Sequence, residues 1–397
     1  MAVSNTYSDI IPKILLAQAV AVVRENSVMP RLVMNLSSNI ASQPGDKISI
    51  PDQVTGVTRA VTHNISAVDP DNLTLTKTDL ELSNWREAPF TIDDKMAAEV
   101  MDGTTPRVLR AYATKLAEYV DAQIMAQYAG VYNTGVSADI ADGTTPVVNA
   151  FTVTTVNPTG LRAWNEANVL LNQWGAPIAD RRVVLSALDN GAAMINSPFL
   201  KADERGDQGG IIDGQIGRKL GQDWWLDQAI PTHTAGTLAT TTGQAVKATG
   251  VTAGDTSEVF DGTITTALTV AVGDIFKFAN HNQTYVNNTL VTTTTSALTI
   301  SSFSPPAKVA VADEVAVEFL PSHKVNLLFH PDAIAFASRP LGGIGNGQMS
   351  QVFDEVSGLN LRVEIYRQHK QDYVSVDCLF GAKLRDAKLI SRIASNI

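Results

Sequence analysis

The sequences DKISI at residues 46–50 and LTLTKTDLEL at residues 73–82 carry the pattern on which the fold assignment depends. In both stretches apolar side chains alternate with polar ones, a period of two that is typical of β-strands with one buried face. The intervening VDPDN at residues 68–72 is rich in turn formers. We therefore predict a two-stranded ribbon over residues 46–90. Because such a ribbon is marginally stable alone, it must lie on another surface, which is a first indication of an assembly protein.

A long helix is predicted after the ribbon. Thr104-Thr105-Pro106 forms a helix start, with a threonine cap and proline in the first turn. Apolar residues then recur every three or four positions on one stripe, at Leu109, Ala113, Leu116, Val120 and Ile124. The helix should run to about Tyr128 and end at Gly130.

An amphipathic helix is predicted before the ribbon. Residues 1–40 form an arm whose helix ends near Met29-Pro30, because proline disfavours helical backbone in the residue before it. The apolar positions of this helix indicate that it docks on another surface.

Mixed α/β patterns fill residues 159–231 and the region after residue 320. Hydrophobic periodicity and turn residues predict helices at 164–174 and 190–196, a strand at 182–186, a strand through Val325, Leu327 and Phe329, a short helix from Pro331 through Ala337, and loops at 203–214 and 342–347. Near the C-terminus, the alternating residues of 359–365 should pair with those of 374–378 across a turn at 367–372. These elements indicate an α+β fold.

The composition changes abruptly between the two mixed regions. Residues 232–312 contain only seven Asp, Glu, Lys or Arg residues, and threonine dominates. Short alternating runs at 268–272, 275–278 and 297–300 are separated by Gly-Asp and Asn-rich turns. We predict an all-β insert in which helix is disfavoured.

Charge and cysteine content exclude several classes of function. The formal net charge is −10, which argues against wrapping nucleic acid by charge neutralisation as the main role. The single cysteine, Cys378, excludes an internal disulfide framework and a cysteine-rich metal site. The longest apolar run, residues 14–23, is shorter than a membrane helix requires, and residues 1–9 lack the basic start of a signal peptide.

No catalytic, cofactor or metal site is predicted. The six histidines, at positions 63, 233, 281, 323, 330 and 369, lack the spacing of a metal site, so we interpret them as surface or capping residues. The glycine-rich sequence 342–347 lacks the lysine and the strand context of a phosphate-binding loop. The acidic loop at 203–207 lacks calcium-loop spacing.

Three further candidates have structural interpretations. Cys378 lies within an apolar alternation, so a buried inert thiol is expected. Asp93-Asp94 precede a helical run at 95–101, where carboxylates at a helix start are expected without catalysis. Trp224-Trp225 could form a stacking platform for carbohydrate, but adjacent residues of a strand point to opposite faces, which favours packing at a domain junction.

The order of these parts resembles that of the major capsid (coat) proteins of tailed bacteriophages. It is most similar to the short-tailed Salmonella-phage branch, which carries an inserted β-barrel. The resemblance is carried by GDIFKFA at 273–279, by NLLF at 326–329 with the residues that follow it to Pro340, and by Leu220-Gly221, Asp223, Leu226 and Pro231. It covers most of the chain, and its specificity lies in the collinear order.

The resemblance implies a capsid fold of the Hong Kong ninety-seven type. It implies an N-arm (residues 1–44), an extended ribbon called the E-loop (45–92), a peripheral domain (93–159 and 351–397) with a spine helix at 103–130, an apical α/β domain (160–231 and 321–350) and an inserted β-barrel (232–320). The family's charged insert loops have no counterpart here, because the insert is almost devoid of charge.

The resemblance also implies the partners. The chain would tile an icosahedral shell as hexamers and pentamers, with a neighbouring subunit burying the apolar face of the E-loop. A separate scaffolding protein and a portal are expected. Packaged DNA would be contacted weakly and non-specifically, as suits an acidic wall, and no membrane or cofactor is expected.

Three other functional classes remain as alternatives. A trimeric surface adhesin or tail component that binds host glycan would account for the threonine-rich β region and Trp224-Trp225. An enzyme with a β accessory domain is disfavoured by the lack of a catalytic motif. A cellular nanocompartment shell would share the fold but would not need the insert.

Overall fold

The computed structural model describes residues 7–37, 47–52, 58, 76–94, 104–136, 149–154, 157–196, 199, 216–240, 244–246, 250–261, 268–279, 281–293, 297–342 and 348–397. Within these residues the α-helices are α1 (Tyr7–Asn26), α2 (Thr104–Met125), α3 (Arg162–Gln173) and α4 (Ala187–Ile195). The strands are β1 (Met34–Asn35), β2 (Lys47–Pro51), β3 (Lys77–Glu81), β4 (Asn84–Asp93), β5 (Thr134–Gly135), β6 (Arg182–Leu185), β7 (Arg218–Lys219), β8 (Gln222–Leu226), β9 (Thr232–His233), β10 (Ala245–Val246), β11 (Glu258–Asp261), β12 (Leu268–Val270), β13 (Ile275–Phe278), β14 (Thr284–Asn287), β15 (Val291–Thr293), β16 (Ala297–Ile300), β17 (Phe303–Ser304), β18 (Val317–Phe319), β19 (His323–Phe329), β20 (Ile334–Arg339), β21 (Gln348–Asp354), β22 (Leu359–Gln368), β23 (Gln371–Leu384) and β24 (Ile390–Ser395).

One sheet, which we call the body sheet, is organised around the 14-residue strand β23. Strand β4 pairs with residues 371–380 on one side of β23. On the other side, β22 pairs with residues 371–377 and β20 with residues 379–384. Strand β21 extends the sheet beyond β22, and β1 extends it beside β20. Strands from both ends of the sequence therefore meet on β23.

The predicted C-terminal hairpin is confirmed, with Val363 opposite Val376 and Ile365 opposite Val374. Its turn is tighter than expected, because pairing continues to Gln368 and Gln371. The two turn residues, His369 and Lys370, have positive φ angles of 38° and 63°. Two consecutive positive φ angles are the geometry of the two-residue turns that match the twist of hairpin strands.

The second sheet has the order β5-β24-β19-β6-β8-β7, with β9 also pairing with β19. The predicted strands at 182–186 and 325–329 are confirmed as β6 and β19. Strand β19 lies between β24 and β6, and from Val325 to Phe329 every side chain is buried. Helix α3 packs on β5 and β24. Because both faces are covered, even the polar Asn326 is buried, and its side chain accepts from the Ser186 N–H and donates to Asp189.

The short helix predicted from Pro331 through Ala337 is wrong. A single 3₁₀ turn (Pro331–Ala333) is followed directly by strand β20. The side chain of Ile334 is fully buried, as is that of Phe336, and the strand pairs with β23. Pairing with a strand distant in sequence therefore overrides the local helix-start signal.

The helices agree with the expected periodicity but end earlier. The apolar stripe of α2 that was predicted from Leu109 to Ile124 is buried at every position. The α-helix ends at Met125 and continues as a 3₁₀ helix (Ala126–Gly130). Helix α1 ends at Asn26, before a 3₁₀ turn (Met29–Arg31). It docks within its own chain, on α2, β21 and β22.

Two other helices are confirmed with small shifts. The helix predicted at 164–174 is α3, and the one predicted at 190–196 is α4, which begins at Ala187. The Ser186 hydroxyl accepts a hydrogen bond from the Asp189 backbone N–H at 3.2 Å. This cap fixes the start of α4 earlier than apolar periodicity indicates.

The ribbon is confirmed at its base, where β2 and β3 pair from Lys47–Glu81 to Pro51–Lys77. It is wrong at its C-terminal end, because residues 84–93 form β4 of the body sheet. Ile50, Leu80 and Leu82 are buried in a cluster with residues of β20. The expectation that a neighbouring subunit must bury the apolar face is therefore wrong for this base.

We call residues 232–320 the insert segment; its described part consists of β-strands, as predicted, with a 3₁₀ turn (Thr237–Thr240). The described pairs form sheets of order β10-β11-β16, β12-β15 and β17-β14-β13-β18. The segment has a hydrophobic cluster of its own, rich in aromatic residues, with Phe260, Phe276, Phe278, Tyr285, Phe303 and Phe319 among its members.

Several predictions concern residues outside the described ranges. These are the helical run at 95–101, the loop at 203–214, positions 343–347 of the glycine-rich loop, the tip of the ribbon and His63.

Candidate functional site

Two histidines meet where the insert segment joins the rest of the chain. His233 on β9 and His323 on β19 have ring centroids 5.3 Å apart, and both side chains are buried. The expectation of surface or capping histidines is therefore wrong for these two. It is confirmed for His330, whose Nδ1 accepts the Asp332 N–H at 3.3 Å, and for the exposed His369.

The carboxylate of Asp274 organises this junction. His233 Nε2 donates to Asp274 Oδ1 at 2.8 Å. The backbone N–H groups of Gly236 and Ala271 donate to Asp274 Oδ2 at 3.0 and 2.7 Å. Tyr128 reaches the junction from the 3₁₀ helix after α2, with its hydroxyl 3.2 Å from His233 Nδ1. Three segments distant in sequence are thus tied to one another.

A fully buried arginine, Arg392 of β24, completes the junction. Its Nη1 donates to the Gly273 carbonyl at 2.9 Å, and its Nη2 donates to the Ala129 carbonyl at 3.3 Å. The guanidinium carbon lies 5.1 Å from the centroid of the Tyr128 ring, within range of a cation–π interaction. Burial lowers the pKa of Arg392 to about 9, so the side chain remains charged at neutral pH.

The His323 ring is held in one tautomer. Its Nδ1 donates to the Pro321 carbonyl at 2.8 Å, so Nε2 carries the lone pair in the neutral ring. Nε2 is buried without a hydrogen-bond partner in the described part of the chain. Burial, reinforced by the charge of Arg392, lowers the pKa of His323 to about 3. The ring is therefore neutral at physiological pH.

These groups are not arranged as a metal centre. Over the ranges that the structure describes, no group of three or more His, Cys, Asp or Glu side chains is arranged to hold a metal ion. The Cys378 thiol is buried, as predicted, and burial raises its pKa to about 12, which opposes thiolate chemistry. Asp94 binds Arg367, with Oδ2 2.7 Å from Nη2, on the surface of the body sheet.

The tandem tryptophans point to opposite faces of β8, as predicted. Trp224 is buried and packs on Phe151, Trp164 and Phe199, so its packing role is confirmed. Trp225 is 42% exposed and lines a groove of about 460 Å³. The groove is also lined by Asn190, Ile216, Gly217, Arg218, Asp223 and Leu226.

Among the described residues, three strands of the body sheet pair on one side only, namely the two-residue β1 and the longer β4 and β21. Strand β21 and the turn after it expose four large apolar side chains, Met349, Val352, Phe353 and Val356. On β4, Trp85 is 61% exposed while its Nε1 donates to Asp377 at 3.0 Å. Open edges and clustered apolar side chains are typical of association surfaces.

Helices long and apolar enough to cross a membrane are absent from the described portion of the chain. No family model and no curated protein matches the sequence. Solved structures do match it. A chain from Mycobacterium phage Che8 has a TM-score of 0.50 and 16% identity, covering 92% of this chain and 90% of that chain.

The capsid structure of the cyanophage P-SCSP1u matches with a TM-score of 0.52 and 11% identity, covering 93% of this chain and 88% of that chain. At such low identity the likeness establishes the fold alone. The predicted α+β class is confirmed, and the chain has the fold of phage capsid proteins of the Hong Kong ninety-seven type.

Proposed function

We propose that this chain is a major capsid protein that self-assembles into the icosahedral shell of a tailed phage. The observation that carries the proposal is the similarity of fold over nearly the whole chain, including 93% coverage against a cyanophage capsid structure. The proposed role is structural rather than enzymatic. It would be exercised in the virion, after assembly in the host cytoplasm.

The surface of the body sheet supports self-association. Strands β4 and β21 each pair on one side only within the described ranges, and β21 exposes apolar side chains such as Phe353. Exposed apolar side chains do not stabilise a monomer, whereas a neighbouring subunit would remove their apolar area from water. We propose that copies of the chain meet as hexamers and pentamers.

We also propose the domain organisation of that family. The body sheet would belong to the peripheral domain, with α2 as its spine helix, and the second sheet to the apical domain. The proposed ranges are an N-arm (1–44), an E-loop (45–92), a peripheral domain (93–159 and 351–397) and an apical domain (160–231 and 321–350). Sheet membership favours moving β20 to the peripheral domain and β24 to the apical domain.

The insert segment would be the inserted β-barrel of the Salmonella-phage branch. Its separate aromatic core supports this interpretation. Expressed alone, residues 232–320 should fold as a monomer with a β-type circular dichroism spectrum and one sharp melting transition. A disordered spectrum would argue against an autonomous domain.

The remaining proposed partners are a scaffolding protein, a portal and packaged DNA. The net charge of −10 supports only weak, non-specific contact with DNA. A wall that repels phosphate lets the genome move during packaging.

Electron microscopy of the chain co-expressed with its neighbouring open reading frames tests the proposal. Closed shells tens of nanometres across are expected. Discrete trimers or monomers under several salt and crowding conditions would contradict it. Deleting residues 53–75, which leaves β2 and β3 in place, should give a soluble subunit that does not assemble, because the E-loop would no longer reach a neighbour. Normal shells from this deletion would refute the role of the ribbon as a strap between subunits.

A second candidate function is a surface adhesin or tail component that binds host glycan. The exposed Trp225 beside Arg218 and Asp223 favours it, because an indole face with polar neighbours can hold a sugar ring. This candidate predicts trimers and a glycan-array signal that is lost in Trp225→Ala.

A further inference from the structure

Two side chains that can carry positive charge share the buried junction between the insert segment and the second sheet. Arg392 and His323 lie on the paired strands β24 and β19, and both are fully buried. Arg392 donates to the insert segment, through the carbonyl of Gly273, beside the β9–β19 pairing and the buried hydrogen bond from Thr284 to the Tyr132 carbonyl. A buried cation is therefore one of the contacts that hold the junction.

The other groups at the junction cannot neutralise a second cation. Asp274 is the carboxylate that faces it, and its oxygens already accept from His233, Gly236 and Ala271. Tyr128 is neutral, and the pKa of its hydroxyl is raised by burial. His233 can only add positive charge. A protonated His323 would add a second positive charge near Arg392, with no negative charge to compensate it.

The hydrogen-bonding atoms agree with this account. His323 Nε2 and Arg392 Nε are both buried without a partner in the described residues. A protonated Nε2 would become a second unpaired donor where an unpaired donor is already present. Burying an unpaired charge or donor is costly, whereas exposing it to water is not.

We propose that His323 is an acid-operated latch: its protonation opens the junction and releases the insert segment from the second sheet while both cores stay folded. The inference concerns the single chain and does not rest on the proposed capsid function. The open state binds the proton with the ordinary histidine pKa, near 6.5. The closed state resists protonation until about pH 3. Opening therefore becomes more favourable by about tenfold for each pH unit below about 6.5.

Hydrogen exchange of the full chain between pH 7 and pH 4.5, corrected for the intrinsic pH dependence of exchange, tests the latch. The N–H group of Thr134, which crosses the junction to Thr284 Oγ1, should lose protection by about tenfold per pH unit below about pH 6. Amides of β11 and β16 in the insert core, and of β22 in the body sheet, should keep theirs. Simultaneous loss in all of these strands would indicate global unfolding and overturn the proposal.

The variant His323→Asn tests whether protonation of His323 causes the opening. Asparagine retains an N–H for the Pro321 carbonyl but cannot be protonated in this range, so acid opening should fall to less than about twofold over the same pH interval. The matched control is His369→Asn at the exposed hairpin turn, which should keep the wild-type response. An unchanged acid response in His323→Asn would assign the effect to Asp274 or His233 and overturn the proposal.

A second measurement does not depend on the variant folding. In wild-type protein with ¹³C-labelled histidine, one ring resonance should titrate together with the loss of amide protection. A buried histidine that stays neutral while the junction opens would refute the latch.

Discussion

The ribbon base and the insert segment are both excursions from the main sheets, and the attachment of the insert segment includes buried polar and charged groups. The ribbon base lies on β20 through aliphatic contacts between residues such as Leu80 and Ala335. The insert segment is attached through the pairing of β9 with β19, through an apolar cluster that includes Ile275 and Val286, and through buried hydrogen bonds such as that from Arg392 to Gly273. Aliphatic contact is non-directional and indifferent to pH, whereas a buried polar network is directional and fails when one member is lost.

This difference indicates different mechanical roles. At the ribbon base, Arg385 Nη2 donates to the Pro51 carbonyl at 3.4 Å at an exposed position, so water can replace this contact if the ribbon moves. The insert segment, in contrast, shares buried hydrogen bonds with the rest of the chain, such as those from Arg392 to Gly273 and from Thr284 to Tyr132. We therefore expect a substitution at the junction to disrupt several buried polar contacts at once. A substitution at the ribbon base should lower the free energy of unfolding in proportion to the side-chain volume removed.

The largest effect is expected from Arg392→Met. This change leaves the Gly273 and Ala129 carbonyls without donors and leaves Asp274 without its neighbouring cation, at a cost of about 4 kcal/mol. Urea unfolding should show the loss, and hydrogen exchange should locate it at the junction. The exposed Arg367→Met is the matched control, with an expected loss below about 1 kcal/mol. Equal losses of unfolding free energy in Arg392→Met and Arg367→Met would contradict the expected difference between a buried and an exposed arginine.

The next effect is expected from Gly381→Ala, where β23 passes under the ribbon. A Cβ at this position would lie 2.1 Å from the Glu81 carbonyl oxygen, so the ribbon backbone must move. Overpacking of this kind costs about 3 kcal/mol. In the control Gly191→Ala, within α4, the new methyl group meets open space and should stabilise the helix by about 0.5–1 kcal/mol. Unchanged melting of Gly381→Ala would contradict the close approach.

A smaller loss is expected from Leu80→Ala at the ribbon base. The side chain is fully buried, and its removal should cost about 2.5 kcal/mol without any new pH dependence. Leu290→Ala is the control, because Leu290 is 68% exposed and should change stability by less than about 0.5 kcal/mol. A loss of stability in Leu80→Ala that depends on pH would contradict the expected difference between the ribbon base and the junction.

The pH dependence of the arm should be opposite in sign to that of the junction. Asp121 on α2 accepts the backbone N–H groups of Val28 and Met29, and burial raises its pKa to about 8. The folded chain therefore holds this proton more tightly than the unfolded chain does. The contribution of Asp121 to the free energy of unfolding should fall as pH rises from about 4 to 8, by at most about 1.4 kcal/mol per unit.

Urea titrations at several pH values test this sign. Asp121→Asn should flatten the slope between pH 5 and 8, and the exposed Asp313→Asn should leave it unchanged. An identical slope in wild type and Asp121→Asn would show that another group carries the pH dependence.

Local patterns predicted much of the fold. The C-terminal hairpin was predictable because its strands are adjacent and their alternation sets the register. The stripe from Leu109 to Ile124 specified α2, and the adjacent Trp224 and Trp225 specified one buried and one exposed indole. Each of these inferences needs only neighbouring residues.

Long-range pairing accounts for what the sequence did not reveal. Residues 84–93 continue the ribbon pattern, yet they pair with β23, and β20 follows a convincing helix start. The junction is assembled from four separate segments, which carry His233, Asp274, His323 and Arg392. A motif of fixed residue spacing therefore could not predict it. The available signal in the sequence was Arg392, an arginine at the end of an apolar strand with no obvious partner.

The position of β23 in the sequence has a consequence for biosynthesis. Strand β4 pairs with it from Asp93–Gln371 to Asn84–Phe380, so β4 emerges from the ribosome long before its partner. At about 5–20 residues per second, the wait is on the order of tens of seconds. During that time the apolar residues Ala88 and Phe90 lack the strand that orders them. The β4–β23 pairing of the body sheet can therefore be completed only after translation has passed residue 380.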